Sequence, residues 1–207
     1  VGIGPFPFFQ MAATPGQAEG TARSAIQALF GHDFSRREEA NRYLSDLSED
    51  TSAWGVCVNL LSDQEEQVVF FAANMLHTKI KKHWQELDIN TQRSLAVAVM
   101  NFLKESSAKS SAVLSRVCLC SAAIASRTEN GIPSYVNEAV SFGSQSTTPD
   151  GLQVMVMLEM LKLLPEEVEM ISKIGAGRDE YRLQLAAQVP RVLEAVTAVL
   201  RAAAAAA

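Results

Sequence analysis

The sequence predicts an all-α protein, an α-α superhelix of the HEAT or armadillo kind: a solenoid of about four antiparallel helix pairs. Three observations lead there. Aromatic residues make up only 7% of the chain, and the usual strand signals are nearly absent, while Ala, Leu, Ser, Val and Glu dominate. Apolar residues recur at three-four spacing in one segment after another. The first helices of successive pairs begin near residues 65, 109 and 149, at intervals of about 44 and 40 residues, the period of HEAT and armadillo repeats. Helical periodicity alone also admits a compact bundle. The recurring interval favours stacked pairs, because a pair cannot bury its apolar face alone and stacking creates a continuous core.

The elements follow in order. Residues 18 to 30 carry a first helical pattern, broken at Gly31. Ser35 and Glu38 form a capping-box signature that opens a second helix to about Leu47, with Ala40, Tyr43, Leu44 and Leu47 on one face. Thr51 or Ser52 caps a short helix through Leu61 that carries Trp54, Val56, Val58 and Leu60, and Ser62-Asp63 supplies a turn. The clearest helix runs from about Glu65 to Trp84: Val68, Phe71, Ala72, Met75, Leu76 and Ile80 share a face, acids stand at its start, and Lys79, Lys81 and Lys82 stand near its end, as the helix dipole favours.

Thr91 to Glu105 forms a further helix with Leu95, Val99, Phe102 and Leu103 inward, and Ser106 to Ser111 makes a turn and a new cap. Residues 109 to 127 are apolar nearly all round, so this helix needs neighbours on both sides. Pro133 opens a shorter helix to about Phe142, ended by the polar run Gly143 to Thr148. Leu152 to Leu164 is again buried on most faces and is expected to stop near Pro165. Ser172 to Gly177 reads as a mobile glycine-bearing loop. Arg178 to Arg201 is a last helical pattern with Pro190 as a kink.

Composition narrows the function. A net charge of −5 gives no broad positive field for nucleic acid phosphates or anionic membranes, so nucleic acid is not an expected partner. No segment reaches the roughly 20 uninterrupted apolar residues of a spanning helix, since Glu159, Lys162 and Arg116 interrupt the greasiest stretches, and membrane insertion is not expected. Cys57, Cys118 and Cys120 sit in apolar settings and read as small buried hydrophobes. The opening VGIGPFPFFQ lacks an initiator Met and a basic region, so residues 1–17 are expected to be disordered or extraneous, with Met11 a candidate start. Ala202 to Ala207 is a low-complexity tail, and the chain reads as part of a longer protein.

No catalytic constellation emerges. His77 and His83 are six apart on one helix and face different ways, and Cys118 and Cys120 form a C-x-C without a second pair, so no metal site is expected. Gly175-Ala176-Gly177 lacks the lysine and serine of a phosphate loop. The adjacent acids Glu38-Glu39, Glu65-Glu66 and Glu166-Glu167 lie near helix starts, where the dipole accounts for them better than acid-base chemistry. No enzyme activity and no cofactor are expected.

A series of motifs remains. Ala40-Asn41-Arg42-Tyr43-Leu44, Ser52-Ala53-Trp54, Leu60-Leu61, Phe71-Ala72-Ala73-Asn74-Met75-Leu76 and Lys79-Ile80-Lys81-Lys82-His83-Trp84, in that order and at those gaps, resemble the amino-terminal domain of the importin-beta family of nuclear transport receptors. Leu161-Lys162-Leu163-Leu164-Pro165-Glu166-Glu167-Val168 and the region Leu87 to Leu103 resemble the transportin-3 and importin-13 branch. The resemblance implies HEAT repeats 1 and 2 over residues 18–106 and repeats 3 and 4 over 107–201. Their second, or B, helices line a concave face that receives the GTP-bound form of the GTPase Ran. It further implies import of protein cargo, including Arg-Ser-rich proteins held mainly by later repeats, contact with nucleoporins, and shuttling between cytoplasm and nucleus through the nuclear pore. A HEAT scaffold without Ran binding, or an exportin-type adaptor, is the competing reading.

On that resemblance the candidate Ran contacts are polar positions of the B helices: Asn59, then Gln92, Arg93, Asn101 and Lys104, then Asn137 and Glu138. Leu44, Trp54, Leu61, Phe71, Ala72, Leu76, Ile80 and Trp84 are expected to form the core of the amino-terminal motif, the two tryptophans as wedges between helices. The cluster Lys79 to His83 reads as a solvated helix end.

Overall fold

The computed structural model describes residues 15–105, 110–144, 151–172 and 178–206. Those residues form nine α-helices and one 3-10 turn, with no strand among them. The helices are α1 (Pro15–Leu29), α2 (Phe34–Glu49), α3 (Ala53–Leu60), α4 (Glu66–His83), α5 (Ile89–Glu105), α6 (Ser111–Ala125), α7 (Gly131–Ser144), α8 (Leu152–Ser172) and α9 (Arg178–Ala206), with the 3-10 turn Trp84–Glu86 between α4 and α5. The fold class is all-α, built from paired helices of the HEAT type. The chain divides into two compact units, residues 1–98 and 99–207, with the division falling inside α5.

In the first unit α1 packs on α2, α3 and α4, and α3 packs on α4. Leu44, Trp54, Leu61, Ala72, Leu76, Ile80 and Trp84 are buried, whereas Phe71 is only half-buried because it lies at the edge of the α4 face centred on Val68, Ala72 and Leu76. The α2 cap differs from the capping box expected at Ser35: the carboxylate of Asp33 accepts the Arg36 amide at 3.2 Å, so the helix begins at Phe34. Helix α1 begins at Pro15, so residues 15–17 are helical rather than part of an unstructured leader. Proline suits a first helical turn because its missing N–H has no intrahelical partner there. Arg23 on α1 holds Asp63 at 2.7 Å and Glu65 at 2.7 Å, tying α1 to the turn before α4. Burial pushes the Asp63 carboxyl up, but Arg23 and the amides of Glu65 and Gln64 more than offset this and lower its pKa.

Lys79 departs from the solvated reading. It is 2% exposed, its Nζ donates to the carbonyl of Ser48 at 3.1 Å, and it lies 5.3 Å from the Trp54 ring centroid. An ammonium at the carboxyl end of α2 meets the negative pole of that helix and the face of an aromatic ring, which together replace part of its hydration. Burial lowers its pKa. The rest of the expected cluster behaves differently: Lys82 pairs with Glu49 at 3.1 Å on the surface, and His83 lies between Glu49 and Glu86.

The second unit shows pair-on-pair layering. Helix α6 packs on α7 and α8 on α9 within pairs, while α6 stacks on α8 and α7 on α9 between pairs. The apolar circumference of α6 is what this arrangement requires: Val113, Leu114, Val117, Cys118, Cys120, Ala122, Ala123 and Ile124 are all buried. Two polar groups inside the layer find partners in place. Tyr135 donates its hydroxyl to the Met160 carbonyl at 3.1 Å, Ser115 donates to Glu159 at 2.7 Å, and burial drives the Tyr135 pKa well above its ordinary value.

Three expectations about this unit change. Helix α8 does not stop at Pro165 but continues to Ser172. The proline forfeits one intrahelical bond, yet Leu163, Leu164 and Val168 on either side are buried, so packing holds the helix across the break. Glu167 therefore lies inside a helix, 4% exposed, facing the Arg127 guanidinium at 3.9 Å, rather than serving as an acid at a helix start. Helix α9 runs unbroken through Pro190 and takes in Ala202 to Ala206, so the described part of the alanine tail is the end of a helix. The mobile loop expected at 173–177 and the polar run 145–148 lie outside the described residues.

Among the described residues one helical stretch, Asp179–Ala205, is long and apolar enough by length and composition to cross a membrane, contrary to the expectation from uninterrupted apolar length. Arg182, Arg191, Glu194 and Arg201 lie within it, and centrally placed charges of that kind are costly in a bilayer.

The turn between α6 and α7 depends on glycine. Asn130 takes the left-handed conformation at φ 53°, and a Cβ on Gly131 would collide with the carbonyl oxygen of Ala125. Gly131→Ala is accordingly expected to lower the unfolding free energy by about 1–3 kcal/mol in urea titrations, with secondary structure retained. Replacing Arg127 by Met removes the guanidinium that faces the buried Glu167 carboxylate and is expected to cost about 3 kcal/mol, part of which returns when Glu167 is changed to Leu in the same chain. Equal stability of wild type and R127M would show that the pair does not hold α8.

Candidate partner-binding face

The candidate contacts are carried by α3, α5 and α7, and each is exposed or half-buried. In the first unit Asn59 projects from α3, and its side-chain amide donates to Glu19 of α1 at 3.1 Å. Arg93, on the first half of α5, is exposed and makes no ion pair or hydrogen bond through its side chain among the described residues. Gln92 is occupied otherwise: its Nε2 donates to the carbonyl of Trp84 at 3.0 Å and to that of Leu87 at 3.1 Å. One amide thus reaches two carbonyls where the 3-10 turn ends, that of Trp84 also accepting the Leu87 amide at 3.3 Å, and it fixes the start of α5 to the end of α4. Asp88 completes the junction by accepting the amides of Asn90 at 2.9 Å and Thr91 at 3.1 Å, which starts α5 at Ile89 rather than at Thr91.

In the second unit Asn101 and Lys104 lie three residues apart on α5, hence on one face. Lys104 pairs with Glu138 of α7 at 3.2 Å, both side chains about half exposed. Asn137, next to Glu138, is exposed, and neither Asn101 nor Asn137 uses its amide in a hydrogen bond among the described residues. The structure therefore brings Asn101, Lys104, Asn137 and Glu138 onto neighbouring helices of one unit. A surface ion pair of this kind contributes well under 1 kcal/mol, so it orients the two side chains more than it stabilises the unit.

Such a face can dock a partner but offers no reacting group. The thiols of Cys57 and Cys118 are buried and pushed up to about 12 by that burial, which keeps them protonated and inert. Among the described residues no three His, Cys, Asp or Glu side chains cluster to hold a metal ion. A cleft of about 1290 Å³ lies between α7, α8 and α9 of the second unit, edged by Arg191 and Glu194, but none of the polar positions above lines it.

Sequence reasoning did not single out Ile89 and Val97, which are 56% and 57% exposed on α5. The signal was present as spacing: both lie four residues from Arg93 and away from the buried Leu95 and Val99. It was masked by the run Leu95 to Val99, which reads as uniformly apolar.

Comparison with known proteins finds a family model that matches part of this chain. Residues 40–107 match the Importin-beta N-terminal domain, a segment that takes in most of α2 and all of α3, α4 and α5. Over 155 residues the chain is 25% identical to importin-13 of Homo sapiens, a match covering 73% of this chain and 16% of that protein. The corresponding protein of Bos taurus is 24% identical over the same length. Transportin MOS14 of Arabidopsis thaliana is 25% identical over 193 residues, covering 89% of this chain and 19% of the relative. The chain thus spans less than a fifth of the length of these relatives.

Truncating Gln92 and Asn101 separates support from surface. Gln92→Ala is expected to cost about 1 kcal/mol because the Leu87 carbonyl loses its donor and the Trp84 carbonyl keeps only the Leu87 amide, while Asn101→Ala should stay within about 0.5 kcal/mol of wild type. Thermal unfolding of the two variants side by side checks this, and equal midpoints would remove the bracing role assigned to Gln92.

Proposed function

From an importin-beta N-terminal domain at residues 40–107, we propose that this chain is the amino-terminal part of a nuclear transport receptor of the transportin-3 and importin-13 kind, and that its exposed B-helix face binds Ran in the GTP state. The observation that carries the reading is coincidence of place. The family match covers α3 and α5, and these helices present Asn59, Arg93, Asn101 and Lys104 to solvent while their other faces are buried. In this reading the protein makes and breaks no covalent bond. It takes part in protein import, moves between cytoplasm and nucleus through the nuclear pore, and engages cargo and nucleoporins largely through parts of the receptor outside this chain.

The physical mechanism is coupling through curvature. A stack of short helices deforms by small shifts at each repeat interface, so a partner seated on the inner face biases the shape of the whole stack. If Ran-GTP and cargo prefer different curvatures, each lowers the affinity for the other by the same factor. Release of cargo where Ran-GTP is abundant follows from that reciprocity.

The test is direct binding of the chain to Ran loaded with a non-hydrolysable GTP analogue and, separately, with GDP. The expected result is at least tenfold tighter binding to the GTP form, weakened by Lys104→Glu. Binding that ignores the nucleotide, or no binding to either form, would favour a HEAT scaffold without a Ran site.

A further inference from the structure

Helix α9 has an apolar face that no described residue of its unit covers. Leu183, Val189, Leu193 and Leu200 are 71%, 51%, 61% and 64% exposed, whereas Leu185, Val192 and Val199 of the same helix are half-buried on the side that packs on α7 and α8. The most apolar stretch of the helix has none of its residues fully buried. A series of large apolar side chains held in water is uncommon on a folded monomer and marks a surface that meets something else.

The exposed face has its own period. Ala186, Leu193 and Leu200 are seven residues apart, and Leu183, Pro190, Thr197 and Ala204 form a second seven-residue series interleaved with the first. That is the spacing of the a and d positions in a helix-to-helix seam, and every one of the seven residues is exposed. Glu180 and Arg201 border the seam along one side, also exposed, and neither makes an ion pair among the described residues.

The charges select the occupant. An anionic lipid surface would meet Glu180 and Glu194 as well as Arg182 and Arg201, on a chain of net charge −5. A copy of the same helix supplies complementary groups instead. Laid antiparallel about a two-fold axis between Arg191 and Val192, Leu183 of one copy meets Leu200 of the other, Leu193 meets Pro190, and Ala186 meets Thr197. Glu180 then falls within reach of Arg201, while Glu194 falls beside Ala187 and Arg191, and Arg182 beside Ala203, so no like charges face each other. Each contact forms twice, because the operation is two-fold.

We propose that two copies of this chain associate through the exposed face of α9, antiparallel, with Leu183, Leu193 and Leu200 in the seam and the Glu180–Arg201 pairs fixing its register. The proposal is independent of the GTPase reading, since α9 lies outside the family match at residues 40–107. From Leu183 to Leu200 the seam is about 26 Å long, and one helix pair of that length sits at the small end of specific interfaces, so the association is reversible and concentration-dependent. In the dilute monomer the face is bare.

Sedimentation of the full 207-residue chain over a roughly hundredfold concentration range tests this, with far-UV circular dichroism to confirm that each variant is folded. The expected result is a shift from the 22.4 kDa monomer toward twice that mass, with no larger species, and slower hydrogen exchange of α9 amides at the high end of the series. Leu193→Asp and Leu200→Asp should weaken the dimer at least tenfold. Glu180→Arg and Arg201→Glu should each weaken it at least threefold, and the two together should return it to within twofold of wild type. A dimer insensitive to Leu193→Asp, a double reversal no better than either single one, or growth past the dimer would overturn the proposal. So would a chain that stays monomeric throughout, whether or not it floats with phosphatidylserine-containing vesicles, which would give the face to another occupant and leave the receptor reading intact.

Discussion

Everything in this chain follows from helices that are too apolar to stand alone in pairs. Helix α6 has buried side chains around most of its circumference, and it meets that demand by packing on α7 within its pair and on α8 of the next. Once α6 stacks on α8, their partners pack as well, α7 against both α8 and α9. The outward face of α9 then carries large apolar side chains, Leu183, Val189, Leu193 and Leu200, each more than half exposed.

The same constraint separates residues that hold the stack from residues available to a partner. Lys79, Gln92, Arg127 and Glu167 are polar, yet all four act inward, on a helix-end carbonyl, on two turn carbonyls, or on each other. Arg93, Asn101 and Asn137 are equally polar and have no such task. Polarity alone therefore does not identify a contact residue. What distinguishes the second group is that, among the described residues, no hydrogen bond or ion pair of the fold uses their side chains.

Much of this was legible in the residues. Three-four spacing placed α4 within a residue or two, and the ordered motifs from Ala40 to Trp84 indicated both the burial of Trp54 and Trp84 and the family matched over residues 40–107. The failures have local causes. Pro165 predicts a helix stop from backbone chemistry, but burial of Leu163, Leu164 and Val168 is a tertiary effect that no window around the proline contains. Asp33 rather than Ser35 caps α2, because the nearer carboxylate captures the Arg36 amide. Lys79 looked like one member of a basic helix end, and only its position opposite the Ser48 carbonyl and the Trp54 ring, both on other elements, gives it an interior role. Gln92 looked like a surface amide for the same reason: its two acceptors belong to a turn that periodicity does not resolve.

Native-state hydrogen exchange tests most directly whether neighbours on several sides are what hold this stack together. Amides in the centre of α6 should exchange only through global unfolding of their unit, and those of α9, whose outward face is bare, should open at much lower free energy. Exchange of α6 as fast as that of α9 would contradict the account, because it would mean that stacking pair on pair does not supply the stability assigned to it.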